Sequence, residues 1–205
     1  MSSYPYQDRF PVNRTFPEHG RDRDDVLAEM TQPAKEEDQA WETGRVSGTM
    51  YCGDHDHYAF MSEVFGLYAH VNILQRDICP SATRYEGEVI AMALDLFRAD
   101  AVTDTEPVGL VTSGGTGSIC HAVLAFREIA RTERGVTAPN FIKPETGHPA
   151  FDKACHLFGI EMRHAPVDPV TGQADVAALR ALIDDQTIGF MGSACNYGYG
   201  TVDPM

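Results

Sequence analysis

From Val108 onward the chain alternates short apolar runs with segments of helical period. The runs predict strands at 108–112, 140–143, 159–165 and 187–193. Helices are predicted between them at 116–133, 148–158 and 175–184, the last opened by Asp175. Strand and helix alternation at this spacing implies right-handed crossovers and a largely parallel sheet. The fold class is therefore α/β, and in such sheets ligands collect at the carboxyl ends of the strands.

The chain before Val108 reads differently. Pro5, Pro11 and Pro17 stand among aromatic and charged residues without a clean period, which predicts an extended arm over residues 1 to 20 that packs on a partner. Residues 22–39 are helix-like but interrupted by Pro33, and 41–56 is a loop rich in Gly, Ser, Asp and His. Phe60, Val64, Leu67, Tyr68 and Val71 follow helical spacing, as do Val89, Met92, Ala93, Leu96 and Phe97. An arm and helix over 1–40 and a main domain over 41–205 follow from this division.

With 205 residues and 43% hydrophobic content the chain can bury a real core. No apolar run approaches the roughly 20 residues needed to span a bilayer, and the first residues lack the apolar segment of a signal peptide. A cytoplasmic location is the expectation. The net charge of -14 repels phosphodiester backbones and anionic lipid, which argues against nucleic acid as a partner. Five widely spaced cysteines without C-x-x-C favour reduced thiols. The run Gly53-Asp-His-Asp-His57 alternates carboxylates and imidazoles, but no third anchor follows it, so it reads as a solvated loop and no metal site is expected.

The stretch Gly109-Leu-Val-Thr-Ser-Gly-Gly-Thr-Gly-Ser118 places a glycine turn between a predicted strand and a helix. At a helix start the first amides lack intrahelical acceptors and the dipole is positive, so such a turn can cradle a phosphate. A Walker loop requires a lysine after the turn, and none is present. A dinucleotide fingerprint would put Cys120 where a third glycine or alanine belongs. It would also need an acid ending the next strand, which instead runs Asn140-Phe-Ile-Lys143. A third class that uses such a turn is the pyridoxal phosphate enzymes, whose loop holds a single phosphate.

Four segments agree with that class. Thr112-Ser-Gly-Gly-Thr-Gly-Ser118 resembles the S-G-G-T-x-S element of the group II amino acid decarboxylase family, most closely its sphingosine-1-phosphate lyase branch. Lys143-Pro-Glu-Thr-Gly-His-Pro-Ala-Phe-Asp-Lys-Ala-Cys-His-Leu-Phe-Gly159 is similar to that branch's P-x-x-x-H-x-A-F-x-K-A-x-x-x-F-G segment. Arg45-Val-Ser-Gly-Thr-Met-Tyr51 and Gly198-Tyr-Gly-Thr-Val-Asp-Pro204 extend the resemblance over about residues 40 to 205.

The resemblance implies a fold-type I pyridoxal-phosphate-dependent large domain, mostly parallel with helices on both sheet faces and incomplete in this chain. It implies pyridoxal 5'-phosphate as cofactor, bound by the amides of Gly115 and Thr116 and the Thr116 hydroxyl. His148 matches the histidine over the cofactor ring, a candidate catalytic group. Tyr51 and Asn72 match positions lining the substrate pocket, partly contributed by a neighbouring subunit of a homodimer. Gln75 replaces the usual histidine three residues after Asn72 and cannot exchange a proton near neutrality. Gly117 stands where the lyases commonly carry glutamate.

By the same resemblance the activity is a carbon-carbon lyase acting on a small amine. In the lyase branch this is retro-aldol cleavage of a phosphorylated sphingoid base to an aldehyde and phosphoethanolamine. The alternatives are an amino acid decarboxylase and, in another class, a non-catalytic binding or dimerisation module. The family's aspartate in D-A-x-x-G-G and its Schiff-base lysine in an H-K pair have no match here, since Lys35, Lys143 and Lys153 lie in other contexts. The chain reads as the N-terminal portion of such an enzyme, expected to be inactive by itself.

Overall fold

The computed structural model describes residues 4–45 and 53–204 and divides the chain into two units, Met1–Asn72 and Ile73–Met205. In the first unit, helices α1 (Arg23–Glu42) and α2 (His55–Tyr68) each start at an aspartate. The carboxylates of Asp22 and Asp54 accept hydrogen bonds from amides of their first turns, satisfying donors that a helix start leaves open. α1 runs through Pro33 without the expected interruption, because proline removes one ladder bond while the bonds on either side continue the helix.

The arm is also corrected. Residues 5–9 turn rather than extend, Tyr6 donates to Glu37 at 2.8 Å, and Arg9 forks onto both Glu36 oxygens at 2.6 and 2.8 Å. Acids one residue apart on α1 offer matching acceptors, so the arm docks on its own helix. Within the Asp-His run, Asp54 is spent on its cap and His55 Nε2 lies 3.1 Å from Glu42 Oε1.

The second unit holds α3 (Pro80–Leu96), α4 (Gly115–Arg134), β1 (Asn140–Pro144), α5 (Ala150–Phe158), β2 (Glu161–Ala165), α6 (Val176–Ala181) and β3 (Thr187–Phe190). The three strands form a parallel sheet in the order β2-β1-β3, as the alternation predicts. β1 is central and buried along its whole length. Its side chains alternate between faces: Phe141 packs with Val123 of α4 and Ala154 and Cys155 of α5, while Ile142 packs with Ala165 and Leu179 of α6. Helices therefore cover both faces.

The expected strand at 108–112 does not form a ladder among the described residues. It lies on α3 where Gly109 leaves room for Ile90, whose Cγ2 would stand 3.0 Å from an added Cβ. A strand is defined by its neighbour, and no described strand reaches it. β3 ends at Phe190 rather than 193 because Ser193 is drawn to Asp203 instead of to the sheet.

At the amino end of the sheet, Asn140 is fully buried and bridges Asp184 and Thr187, and Arg163 donates to Asp184 from β2. The Arg163 hydrogen bond, joined by that of Asn140, holds the Asp184 carboxyl down at about 2. These bonds tie the start of all three strands together and leave the opposite end for chemistry.

Candidate functional site at the carboxyl end of the sheet

α4 ends at Arg134, whose Nη2 donates to Thr187 O at the start of β3, and β1 begins soon after at Asn140. The start of α4 therefore lies toward the carboxyl end of β1. α5 follows β1 directly, so its own start lies at that end too. Ile119 and Cys120 of α4 and Phe151 of α5 all join the core cluster around Phe141. Packing thus brings Gly115, Thr116 and His148 to one end of the sheet.

The turn before α4 is built for openness. Gly114 adopts φ +148 and ψ 176, a region that a side chain disfavours strongly. The Thr112 hydroxyl donates to Gly114 O at 2.9 Å and meets Ser118 Oγ at 2.7 Å, so two hydroxyls hold the turn from within. No side chain caps α4, and no acid stands in its first turn. Among the described residues the amides of Gly115, Thr116 and Gly117 find no intramolecular acceptor, and a Cβ at Gly115 would meet only open space. Unpaired donors at the positive end of a 20-residue helix suit an anion with several acceptor oxygens. A phosphate monoester fits that donor set, despite the chain's overall negative charge.

His148 lies in the turn between β1 and α5, two residues before the helix where sequence reading had begun it. Its Nδ1 accepts a hydrogen bond from the Ala150 amide at 3.1 Å. A ring nitrogen that accepts must carry a lone pair, so a neutral imidazole in this arrangement keeps its proton on Nε2. The ring is exposed. In the same turn, the Thr146 hydroxyl oxygen is buried without a partner.

The other expected residues belong to other segments of the chain. Tyr51 lies outside the described residues. Asn72 is exposed at the end of the first unit, and exposed Gln75 accepts from the Ile78 and Cys79 amides on its main-chain carbonyl ahead of α3. Asn196 is buried and ties its own loop, donating to Thr201 Oγ1 at 2.7 Å and accepting from the Tyr199 amide. Asp203 is buried and accepts from the Ala174 and Ser193 amides, a structural clamp. Cys195 is exposed, and burial, followed by the nearby Asp152 charge, pushes the Cys155 thiol up to about 11, which removes it as a nucleophile.

A cluster that sequence reading passed over surrounds the start of α5. Lys143 is buried, and its Nζ lies 2.5 Å from Asp152 Oδ2 and 2.8 Å from the Gly147 carbonyl. His164 Nε2 lies 2.8 Å from Asp152 Oδ1. Burial pushes the Asp152 carboxyl up, and the hydrogen bonds from Lys143 and His164 outweigh it, so the carboxyl sits below its ordinary range. The signal was the pairing of Lys143 with His164 across β1 and β2, which depends on register and cannot be read from spacing.

No family model matches the chain. It is 37% identical over 191 residues to a sphingosine-1-phosphate lyase of Drosophila melanogaster, covering 93% of this chain and 34% of that protein. A sphingosine-1-phosphate lyase structure from Burkholderia pseudomallei superposes with a TM-score of 0.90 at 50% identity, over 98% of this chain and 47% of that one. A probable L-tyrosine/L-aspartate decarboxylase of Methanosarcina acetivorans is 31% identical over 172 residues, 74% of this chain and 43% of its own length. The chain thus spans a third to under half of the proteins it matches.

Proposed function

Because the chain belongs to the sphingosine-1-phosphate lyase branch of the pyridoxal-phosphate-dependent group II decarboxylases over the part of those proteins it spans, we propose that its sheet end serves a carbon-carbon lyase. The substrate is a small amine carrying a phosphate, cleaved in the retro-aldol sense. The observation that carries this reading is the uncapped, acid-free start of α4 facing the same end of the sheet as His148. When bound there, pyridoxal 5'-phosphate supplies an electron sink for the charge left on carbon as a bond to it breaks.

This chain's residues would divide the work. The amides of Gly115 and Thr116 and the Thr116 hydroxyl bind the phosphate, and Thr112 and Ser118 keep their turn in shape. His148 packs on the ring and, with its Nδ1 occupied, offers the Nε2 proton to a departing or arriving oxygen. Tyr51, Asn72 and Gln75 contribute to substrate selection in a homodimer. The exposed apolar side chains of α3 and of residues 108–111 support a larger assembly around this unit.

None of the three lysines is proposed to hold the cofactor covalently. Lys143 is engaged by Asp152 and Gly147, and Lys35 and Lys153 lie exposed on helices. The 205-residue chain alone is therefore expected to be inactive.

Titration with pyridoxal 5'-phosphate, followed by near-ultraviolet circular dichroism of the cofactor, tests the reading. The chain should bind it, inorganic phosphate should compete, and Thr116→Ala should weaken binding about tenfold, the loss of one charge-assisted hydrogen bond. Borohydride should leave no covalent adduct on this chain. With the full gene product, aldehyde release from a phosphorylated sphingoid base is the expected activity. Release of carbon dioxide from amino acids, with the sphingoid base left intact, would replace the lyase by the decarboxylase.

A further inference from the structure

Lys143 stands where the fold has no packing need for a charge. It lies on the same face of β1 as Phe141, the face covered by α4 and α5, and an alkyl side chain of equal volume would fill that place without the desolvation an ammonium suffers. What the ammonium does that an alkyl group cannot is donate hydrogen bonds, and its two acceptors are Asp152 at the start of α5 and the carbonyl of Gly147.

The second acceptor connects it to the site. The Gly147 carbonyl belongs to the peptide bond that joins Gly147 to His148, so fixing that oxygen fixes the plane from which the His148 side chain departs. The turn is tight enough to transmit the constraint. The Gly147 amide donates to Pro144 O at 2.8 Å, and a Cβ at Gly147 would stand 2.8 Å from Met191 Sδ and 3.0 Å from Pro144 O. The far end of the network is also anchored. Lys143 and His164 are register partners on adjacent parallel strands, and Asp152 spans both, taking Lys143 on Oδ2 and His164 on Oδ1.

We propose that Lys143 is a positioning residue for His148: held by Asp152, which His164 braces, its ammonium fixes the Gly147 carbonyl and so aims the His148 ring with Nδ1 on the Ala150 amide and Nε2 toward the ligand. The proposal rests on the reading of His148 as the group that faces the cofactor ring. It assigns to a buried ion pair a task in geometry and none in proton transfer.

Long-range proton–nitrogen correlation spectra of the chain, with its histidine rings labelled with nitrogen-15, test this without any cofactor. The His148 ring should show one tautomer, protonated at Nε2, in the native chain. In Lys143→Met it should shift toward an average of both tautomers while the other histidines apart from His164 keep their signals. The cofactor dissociation constant should rise about tenfold, the lower end of what loss of a supporting residue around a site costs. Since Lys143→Met leaves Asp152 without its cation, the double variant K143M/D152N removes both charges and should reproduce the His148 change in a folded chain.

A folded variant that keeps the native His148 spectrum overturns the proposal. Failure of both variants to fold also overturns it, by making Lys143 a folding residue. If the native chain binds no pyridoxal phosphate, the functional reading fails, and the tautomer comparison still decides whether Lys143 aims His148.

Discussion

Residues 140–165 and 80–111 belong to the same unit and are both rich in apolar side chains, yet they bury them very differently. All five residues of β1 are buried, and α5 hides Ala150, Ala154 and Cys155. α3 has no buried residue, and Met92, Leu96, Phe97 and Val108 are 64%, 76%, 80% and 83% exposed. A central parallel strand is covered from both faces by its own crossover helices, so its core closes within a short stretch of chain. Among the described residues the run at 108–111 lies beside α3, and two elements make one shared surface. The proposed site lies at the border between these regions, since α4 begins where the second ends and packs into the first.

The largest expected effect separates the regions directly. Phe141 is 1% exposed and stacks on Phe151 with ring centroids 5.5 Å apart. Phe141→Ala should lower unfolding free energy in urea by about 3–5 kcal/mol, against under about 0.5 kcal/mol for Phe97→Ala. Equal losses would show that the isolated chain buries Phe97 and that the contrast drawn from the fold is wrong.

A smaller effect probes the border. Gly114 holds φ +148, so Gly114→Ala should cost about 1–3 kcal/mol in backbone strain and weaken phosphate binding as well. Thermal unfolding with and without added pyridoxal phosphate separates the two consequences. An alanine variant that binds as tightly as the native chain would remove the turn from the site.

The smallest effect concerns acid. Asp184 is held at about 2, below the roughly 3.9 of an unfolded aspartate, and Asp152 is also lowered. A depressed carboxyl binds its proton more tightly in the unfolded chain, so this stabilisation is fully present above about pH 4 and is lost as pH falls toward 2. Urea midpoints measured across that window should decline, and Arg163→Met should flatten the decline, because Arg163 is the main cause of the Asp184 shift. A midpoint that rises on acidification would contradict the sign.

Much of the better-packed region was legible beforehand. Apolar runs and helical periods located β1, β2, β3, α4 and α5 to within a few residues, because each element's pattern reflects what covers it. The glycine turn was legible for the same reason, since Gly114 takes a conformation few other residues accept. The strand expected at 108–112 failed because β structure is a property of pairs, and its pattern says nothing about whether a neighbour is present. Pro33 misled in the opposite direction, as a helix with bonds on both sides survives the loss of one.

By itself the sequence determined the α/β alternation and the open glycine turn, and its short motifs carried the resemblance that made Gly115, Thr116 and His148 candidates, because these depend on short stretches of chain. Only the tertiary structure decided that α4 and α5 start at the same end of the sheet and that His148 Nδ1 accepts from the Ala150 amide. Only it revealed that Lys143, which motif reading set aside, reaches Asp152 and the Gly147 carbonyl. The physical reason is register. Which side chains meet across parallel strands is fixed by how β1 and β2 slide against each other, and no single strand's sequence contains that offset.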